Sequence, residues 1–274
     1  MAPIDLASEL QSQSRAAPAA ASPTSPIATR TTYTSGAPGA YNVTLQFRGV
    51  WTTALQDVFI AAAERISDTI TADIPDVKVG SIMVDDIRIT AELATMDGPG
   101  GTLGQAGPTA LRPGSLLPAT AAMRFDSADA QAFQNQGLFD EIVTHEMLHA
   151  IGFGTIWDAM GLLTPAGFIG PQAMAEYAKL TDAYAASTGG RTLPGGTPLP
   201  PGPVPVETEG NPGTIRAHWS EAIFDTELMT GWLDLPRAIS AMVPDPLSAL
   251  TIASLADLGY TVAAQPPVDL YTIG

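Results

Sequence analysis

The chain has 274 residues, enough for one domain with a sizeable core or for two lobes sharing a cleft. Its 12 Lys+Arg stand against 28 Asp+Glu, and the resulting formal charge of -16 repels phosphate backbones and anionic lipid surfaces, which argues against a nucleic-acid partner. With no cysteine, disulfides, thiolate ligands and cysteine nucleophiles are excluded, so any metal site must be built from histidine and carboxylates.

Residues 1–40 are rich in Ala, Pro, Ser and Thr without a sustained period and read as a disordered tail, linker or pro-segment. The opening MAPIDLASELQSQSRAAP has neither the basic n-region nor the apolar h-region of a secretory signal, so export would use another route or follow removal of a signal. The folded domain is expected to begin at Tyr41, where Tyr41, Val43, Leu45 and Phe47 alternate with polar residues as in a half-buried strand. Trp51, Leu55, Val58, Phe59, Ala62, Ile66 and Ile70 then recur at three- and four-residue steps and predict an amphipathic helix.

β-type runs follow at Val77 to Met83 and Ile87 to Leu93. The glycine-rich DGPGGTLGQAGP leads to another strand at Thr120 to Phe125. A helix is predicted from about Gly137 to Ile151 and a second over Ala173 to Ala186. The Pro- and Gly-rich stretch after it is unsuited to regular structure, and the last helix candidate runs from Pro246 to Leu258. No apolar run approaches the roughly 18 residues that span a bilayer, because Asp257 interrupts the stretch from Leu250 to Ala264.

The sequence His145-Glu146-Met147-Leu148-His149 is an HExxH motif inside the predicted helix. Four residues make slightly more than one turn, so both imidazoles face one side, with Glu146 beside a shared ion rather than on it. A zinc ion so held lowers the pKa of its bound water to about 7, and a neighbouring carboxylate can then take the proton as general base. The chain has only 3 His, and His218 is the one imidazole left as third ligand. The alternative third ligand is a downstream glutamate, of which Glu176 is the nearest.

HEMLHAIGFGTIW followed by AHWSEAIFDTELMTG resembles the leishmanolysin-like metallopeptidases, a branch of the metzincin clan, over about Tyr41 to Val262. Metzincins usually read HExxHxxGxxH; here His145, Glu146, His149 and Gly152 match, while Thr155 holds the third histidine's place. The resemblance implies an insertion before the third ligand, which agrees with His218 lying 69 positions after His149. It also implies that Met229, in ELMTG, forms a methionine turn below the metal, and that an extended substrate binds an edge strand near Gly101 to Gly107. Gly152 suits the end of the motif helix, since a residue without Cβ can take positive φ and redirect the chain.

The expectation is therefore an α+β, metzincin-like catalytic domain over residues 41–274, with a twisted mixed sheet, packed helices, and a cleft between lobes 41–154 and 155–274. The metal is Zn2+ on His145, His149 and His218, with Glu146 as catalytic base, Gly152 and Met229 in support, and a protein or peptide as substrate. Asp85, Asp86, Asp97, Asp126 and Asp129 are candidate Ca2+ ligands, although solvated acidic turns are the favoured reading, because there is no EF-hand or glycine-aspartate nonapeptide pattern. An extracellular protein is expected from the acidic, cysteine-free composition together with the resemblance, and a monomer is the expected state. A non-catalytic zinc-stabilised binding module, or a zinc hydrolase of a non-peptide substrate, stays open at this point.

Overall fold

A computed structural model describes residues 28, 30–96, 98, 103–232 and 245–273. In chain order the elements are β1 (Thr32–Thr34), β2 (Val43–Arg48), α1 (Thr53–Thr69), β3 (Val77–Val79), β4 (Ile82–Val84), β5 (Ile87–Ala94), β6 (Gly104–Leu111), β7 (Pro118–Asp126), α2 (Ser127–Gln136) and α3 (Phe139–Ala150), then β8 (Leu163–Thr164), β9 (Gly167–Phe168), α4 (Pro171–Thr188), α5 (Glu221–Phe224) and α6 (Ala249–Leu258). Among the described residues this is a mixed α+β arrangement, as the composition of predicted runs requires.

Five strands form one sheet in the order β1-β2-β5-β7-β6. The central β2, β5 and β7 run parallel, while β1 and β6 pair antiparallel at the two edges. Strict alternation decides which face is covered: Val43, Leu45 and Phe47, Ile87, Ile89, Ala91 and Leu93, and Ala121, Met123 and Phe125 are all buried together. Against them lie Leu55, Phe59, Ala62, Ala63 and Ile66 of α1, and Ile142, Val143 and Met147 of α3. Edge-to-face contacts join Phe59 to Phe125 and Phe125 to Phe139 at 5.4 Å each, so the first residue of α3 is pinned to both the sheet and α1.

Four departures from the sequence reading have local causes. The folded chain begins before Tyr41, because Thr32–Thr34 adds an edge strand in register with Thr44–Gln46. The run from Val77 to Met83 is a hairpin, broken at Gly80, whose φ of 60 lies in the left-handed region. The glycine-rich stretch, which reads as loop by composition alone, contains β6 at the end of the sheet, where the resemblance implied an edge strand; Asp97 and Gly101 lie outside the described residues. An additional helix, α2, precedes the motif helix, capped by the Asp126 carboxylate on the Ala128 N–H at 2.8 Å and ended by Gly137 at φ 72.

In the second half α4 and α6 pack together, and the Asp257 carboxylate of α6 caps α4 by accepting the Gln172 and Ala173 amides at 2.9 Å each. The Pro- and Gly-rich connection makes only isolated bridges, among them Val206 to Trp219. Trp157, Phe168 and Trp219 close around Phe153 to form the aromatic floor just beyond the end of α3.

Candidate metal centre

Helix α3 carries two histidines one turn apart, and the way it ends fixes where the second one points. Phe153 N–H bonds to Leu148 O at 3.0 Å and Gly152 N–H to His149 O at 3.1 Å, a Schellman ending with Gly152 at φ 118. The chain reverses there, and the Phe153 carbonyl comes within 3.0 Å of His149 Nδ1. Thr155 uses its hydroxyl on the His149 carbonyl at 2.9 Å, so it closes the helix instead of meeting the imidazoles. Gly154, at φ 68, lies so close to Ala217 that any Cβ would overlap that residue's carbonyl oxygen. The missing side chain lets the segment bearing His218 lie against the end of α3.

His145, His149 and His218 converge through their Nε2 atoms: 145 to 149 is 3.0 Å, 149 to 218 is 2.9 Å, and 145 to 218 is 3.1 Å. The opposite nitrogens settle the tautomers. His145 Nδ1 stands 2.7 Å from Leu228 O, His149 Nδ1 3.0 Å from Phe153 O and His218 Nδ1 3.2 Å from Thr214 O. A carbonyl can only accept, so each Nδ1 carries the proton and donates it. Three bare Nε2 lone pairs are then left facing one another, an arrangement that repels unless a cation lies among them. Three nitrogens held at about 2.0–2.1 Å from one ion at tetrahedral angles stand about 3.3–3.4 Å apart, close to the spacing found, so this donor set fits zinc.

The site is enclosed by protein on most sides. His149 and His218 are buried, whereas His145 is partly exposed, which places the open approach on its side. Burial holds the His145 imidazole down at about 4 and pushes His149 and His218 well below the usual histidine range, with the neighbouring imidazoles adding to both. All three are therefore neutral at pH 7, the form a metal requires.

Glu146 is 3 % exposed, and its Oε2 has no hydrogen-bond partner among the described residues. Burial alone pushes its carboxyl up to about 8 from an ordinary 4.5. Between those values the folded protein holds a proton that the unfolded chain has released, so the group's contribution to stability is full below 4.5 and is lost as pH rises through 8. In metal-free protein, Glu146→Gln should accordingly gain stability over the parent as pH rises from 4.5 to 8, at most about 1.4 kcal/mol per pH unit, then level off. Denaturant midpoints of chelator-treated parent and variant check this; a difference that shrinks with pH would contradict it.

The turn following His218 supplies the carbonyl on His145. Thr230 N–H bonds to Glu227 O at 3.1 Å, closing a four-residue turn around Leu228 and Met229, and Trp219 N–H bonds to Met229 O at 3.0 Å. Met229 is fully buried in this turn. Neither Glu227 nor Gly154 stands out in the sequence, because each acts through contacts that cross between distant segments.

Glu176 sits on α4 in an ion pair with Lys179 at 2.6 Å and does not join the histidine group. The calcium candidates do not assemble as one set. Asp85 and Asp86 cluster with Asp73, but both Asp86 oxygens already accept amides, from Asn42 at 2.6 Å and Ile74 at 2.9 Å. Asp126 caps α2 and also accepts the Met96 and Gly98 amides at 2.7 and 3.2 Å, with Asp129 one turn along the same helix. Asp126 is thus taken up by backbone donors.

No curated protein matches the chain. The family model described as Peptidase_M8, leishmanolysin, matches residues 110–265, more than half of the 274 residues and a span that contains His145, Glu146, His149, His218 and Met229.

Proposed function

The chain belongs to the leishmanolysin family of metallopeptidases, and from that membership we propose that it is a zinc-dependent endopeptidase with His145, His149 and His218 as ligands and Glu146 as general base. The observation that carries the reading is the convergence of three unprotonated Nε2 atoms within 2.9–3.1 Å of one another, two of them from the helix that also carries Glu146, a buried carboxylate with one oxygen that has no hydrogen-bond partner among the described residues.

When bound, zinc would act as a Lewis acid that polarises the scissile carbonyl and lowers the pKa of the attacking water. The chain's own residues do the rest. The Leu228, Phe153 and Thr214 carbonyls hold the three rings in the tautomer that presents Nε2. Glu146 removes a proton from the water and later delivers it to the leaving amine nitrogen, as one positioned carboxylate can do in both directions. A metal centre that were only structural would have no use for a buried carboxylate next to a ligand in the chain with one oxygen left without a hydrogen bond, which favours hydrolysis over a binding module.

An extended substrate suits the free side of β6, the edge strand, which can add main-chain hydrogen bonds to a peptide. A cavity of about 530 Å³ runs along that strand and reaches Thr155 at the end of the motif helix, with Glu92, Gln105 and Arg124 on its walls. On this reading the cleft lies between lobes 41–154 and 155–274. Family members act outside the cell or at its surface, and no helix among the described residues is long and apolar enough to cross a membrane; an extracellular monomer belongs to the same proposal.

Cleavage of a generic unfolded protein such as casein tests the assignment. It should be abolished by a chelator and restored by adding Zn2+. Zinc uptake without any cleavage would instead favour the binding module, and hydrolysis confined to esters or other non-peptide bonds would favour the alternative hydrolase.

A further inference from the structure

Glu227 is completely buried, and its carboxylate joins two elements that are distant in sequence. Oε2 accepts the Met229 N–H at 2.6 Å. Oε1 accepts the Ser248 N–H at 3.2 Å, the Ser248 hydroxyl at 2.6 Å and the Thr251 hydroxyl at 2.6 Å, all at the start of α6. The direction of these bonds is determined. Amides only donate, and the Thr251 oxygen already accepts the Trp219 indole N–H at 2.9 Å, which leaves its own proton for Glu227. Four donors therefore surround one acceptor group, a charge-assisted arrangement in a dry setting.

The turn held by Oε2 touches the metal site twice. Leu228 O receives His145 Nδ1–H at 2.7 Å, and Met229 O receives the N–H of Trp219, the residue after His218, at 3.0 Å. The arm through Thr251 reaches the same Trp219 from its indole side. We propose that Glu227 is a positioning residue for the metal centre: it locks the turn of residues 227–230 between α6 and the His218 segment and thereby sets the orientation of two of the three imidazoles. This rests on the reading of the three histidines as a zinc site. It differs from a simple structural clasp, which would lower stability and leave the geometry of the folded site unchanged.

Glu227→Gln separates the two. Glutamine has the same shape, but one of its terminal atoms is an NH2 group, which would face a donor whichever way the amide is turned. With its oxygen on the three donors of α6, the NH2 opposes the Met229 N–H and releases the turn. The full chain, stripped of metal, is titrated with Zn2+ against a chromophoric chelator and, separately, loaded with Co2+ for its visible spectrum. Both are done well below the unfolding midpoint of each protein. The variant should bind Zn2+ at least about 10-fold more weakly, as loss of an outer partner of a metal ligand does, with a shifted Co2+ spectrum and a kcat reduced at unchanged KM.

Parent-like zinc affinity and Co2+ spectrum in a folded Glu227→Gln chain, with only a lower unfolding midpoint, would overturn the proposal. Should that variant not fold, Glu227→Asp is read the same way: it keeps the charge, but with one methylene less it cannot reach the Met229 N–H and the donors of α6 together. A shifted Co2+ spectrum supports the proposal and a parent-like one overturns it. A parent chain that takes up no zinc would instead overturn the zinc reading itself, and this proposal with it.

Discussion

Replacing Glu146 with glutamine should lower peptide-bond cleavage by about 10²–10⁴-fold, the usual contribution of a positioned general base. The substitution is nearly isosteric and leaves untouched the Nδ1 bonds to Leu228, Phe153 and Thr214 that orient the ligands. Zinc content should therefore remain that of the parent, and the loss should appear in kcat while KM stays close to its starting value. Glutamine cannot take a proton from water, so no other property of the side chain needs to change for the rate to fall. A variant that kept its zinc and cleaved within 10-fold of the parent, roughly the margin for indirect effects, would remove Glu146 from the mechanism.

Replacing His218 with alanine should have the largest effect on the metal. Apparent zinc free energies of about 10–16 kcal/mol, shared among four ligands, put the loss of one ligand at about 10²–10³-fold in affinity. No other group stands ready to substitute: Glu176 faces Lys179 on α4, and no other His, Asp or Glu among the described residues groups with His145 and His149. The fold should persist, because His218 contributes a backbone bond to Glu207 that alanine also makes, at 3.0 Å through its carbonyl. The cavity left by the ring lies against the His145 and His149 rings, whose centroids are 5.1 and 4.6 Å away.

How legible each part is in the sequence follows from how local its determinants are. Helix α1 can be read because Leu55, Phe59, Ala62 and Ile66 make one stripe that the sheet then buries. The motif helix is readable for the same reason, and its observed span, Phe139–Ala150, falls within the expected 137–151. Helix α2 shows no such stripe: it buries only Asp129 and Ala130, so periodicity is silent. Its ends were the available signal, with Asp126 as N-cap and Gly137 just past the last turn. Strand β1 has three residues and exists only by pairing with β2, which no three-residue pattern can announce.

The histidines illustrate the same division. That His145 and His149 share a face follows from helical geometry, since i and i+4 lie one above the other. That His218 comes within 3.1 Å of both depends on Gly154 passing against Ala217, on the strand-like bridges around Trp219, and on the turn closed by Glu227. Gly154 meets Ala217 across the whole intervening segment, and Glu227 ties its turn to Ser248 and Thr251, 21 and 24 positions on, so one sequence shows that a third imidazole exists but carries no sign of what holds it. The acidic residues show the same division. Asp126 looks like a cation ligand until its oxygens are seen to be engaged by the Met96, Gly98 and Ala128 amides.

The claim on which everything else depends is that three imidazoles hold one zinc ion. The most direct measurement is a zinc titration of the metal-free chain at pH 7, in competition with a chelator of known affinity, for the parent and for His218→Ala matched in far-UV circular dichroism. The account predicts one ion per parent chain and binding weakened by about 10²–10³-fold in the variant. Equal affinity in the two proteins would contradict it, because His218 would then be no ligand.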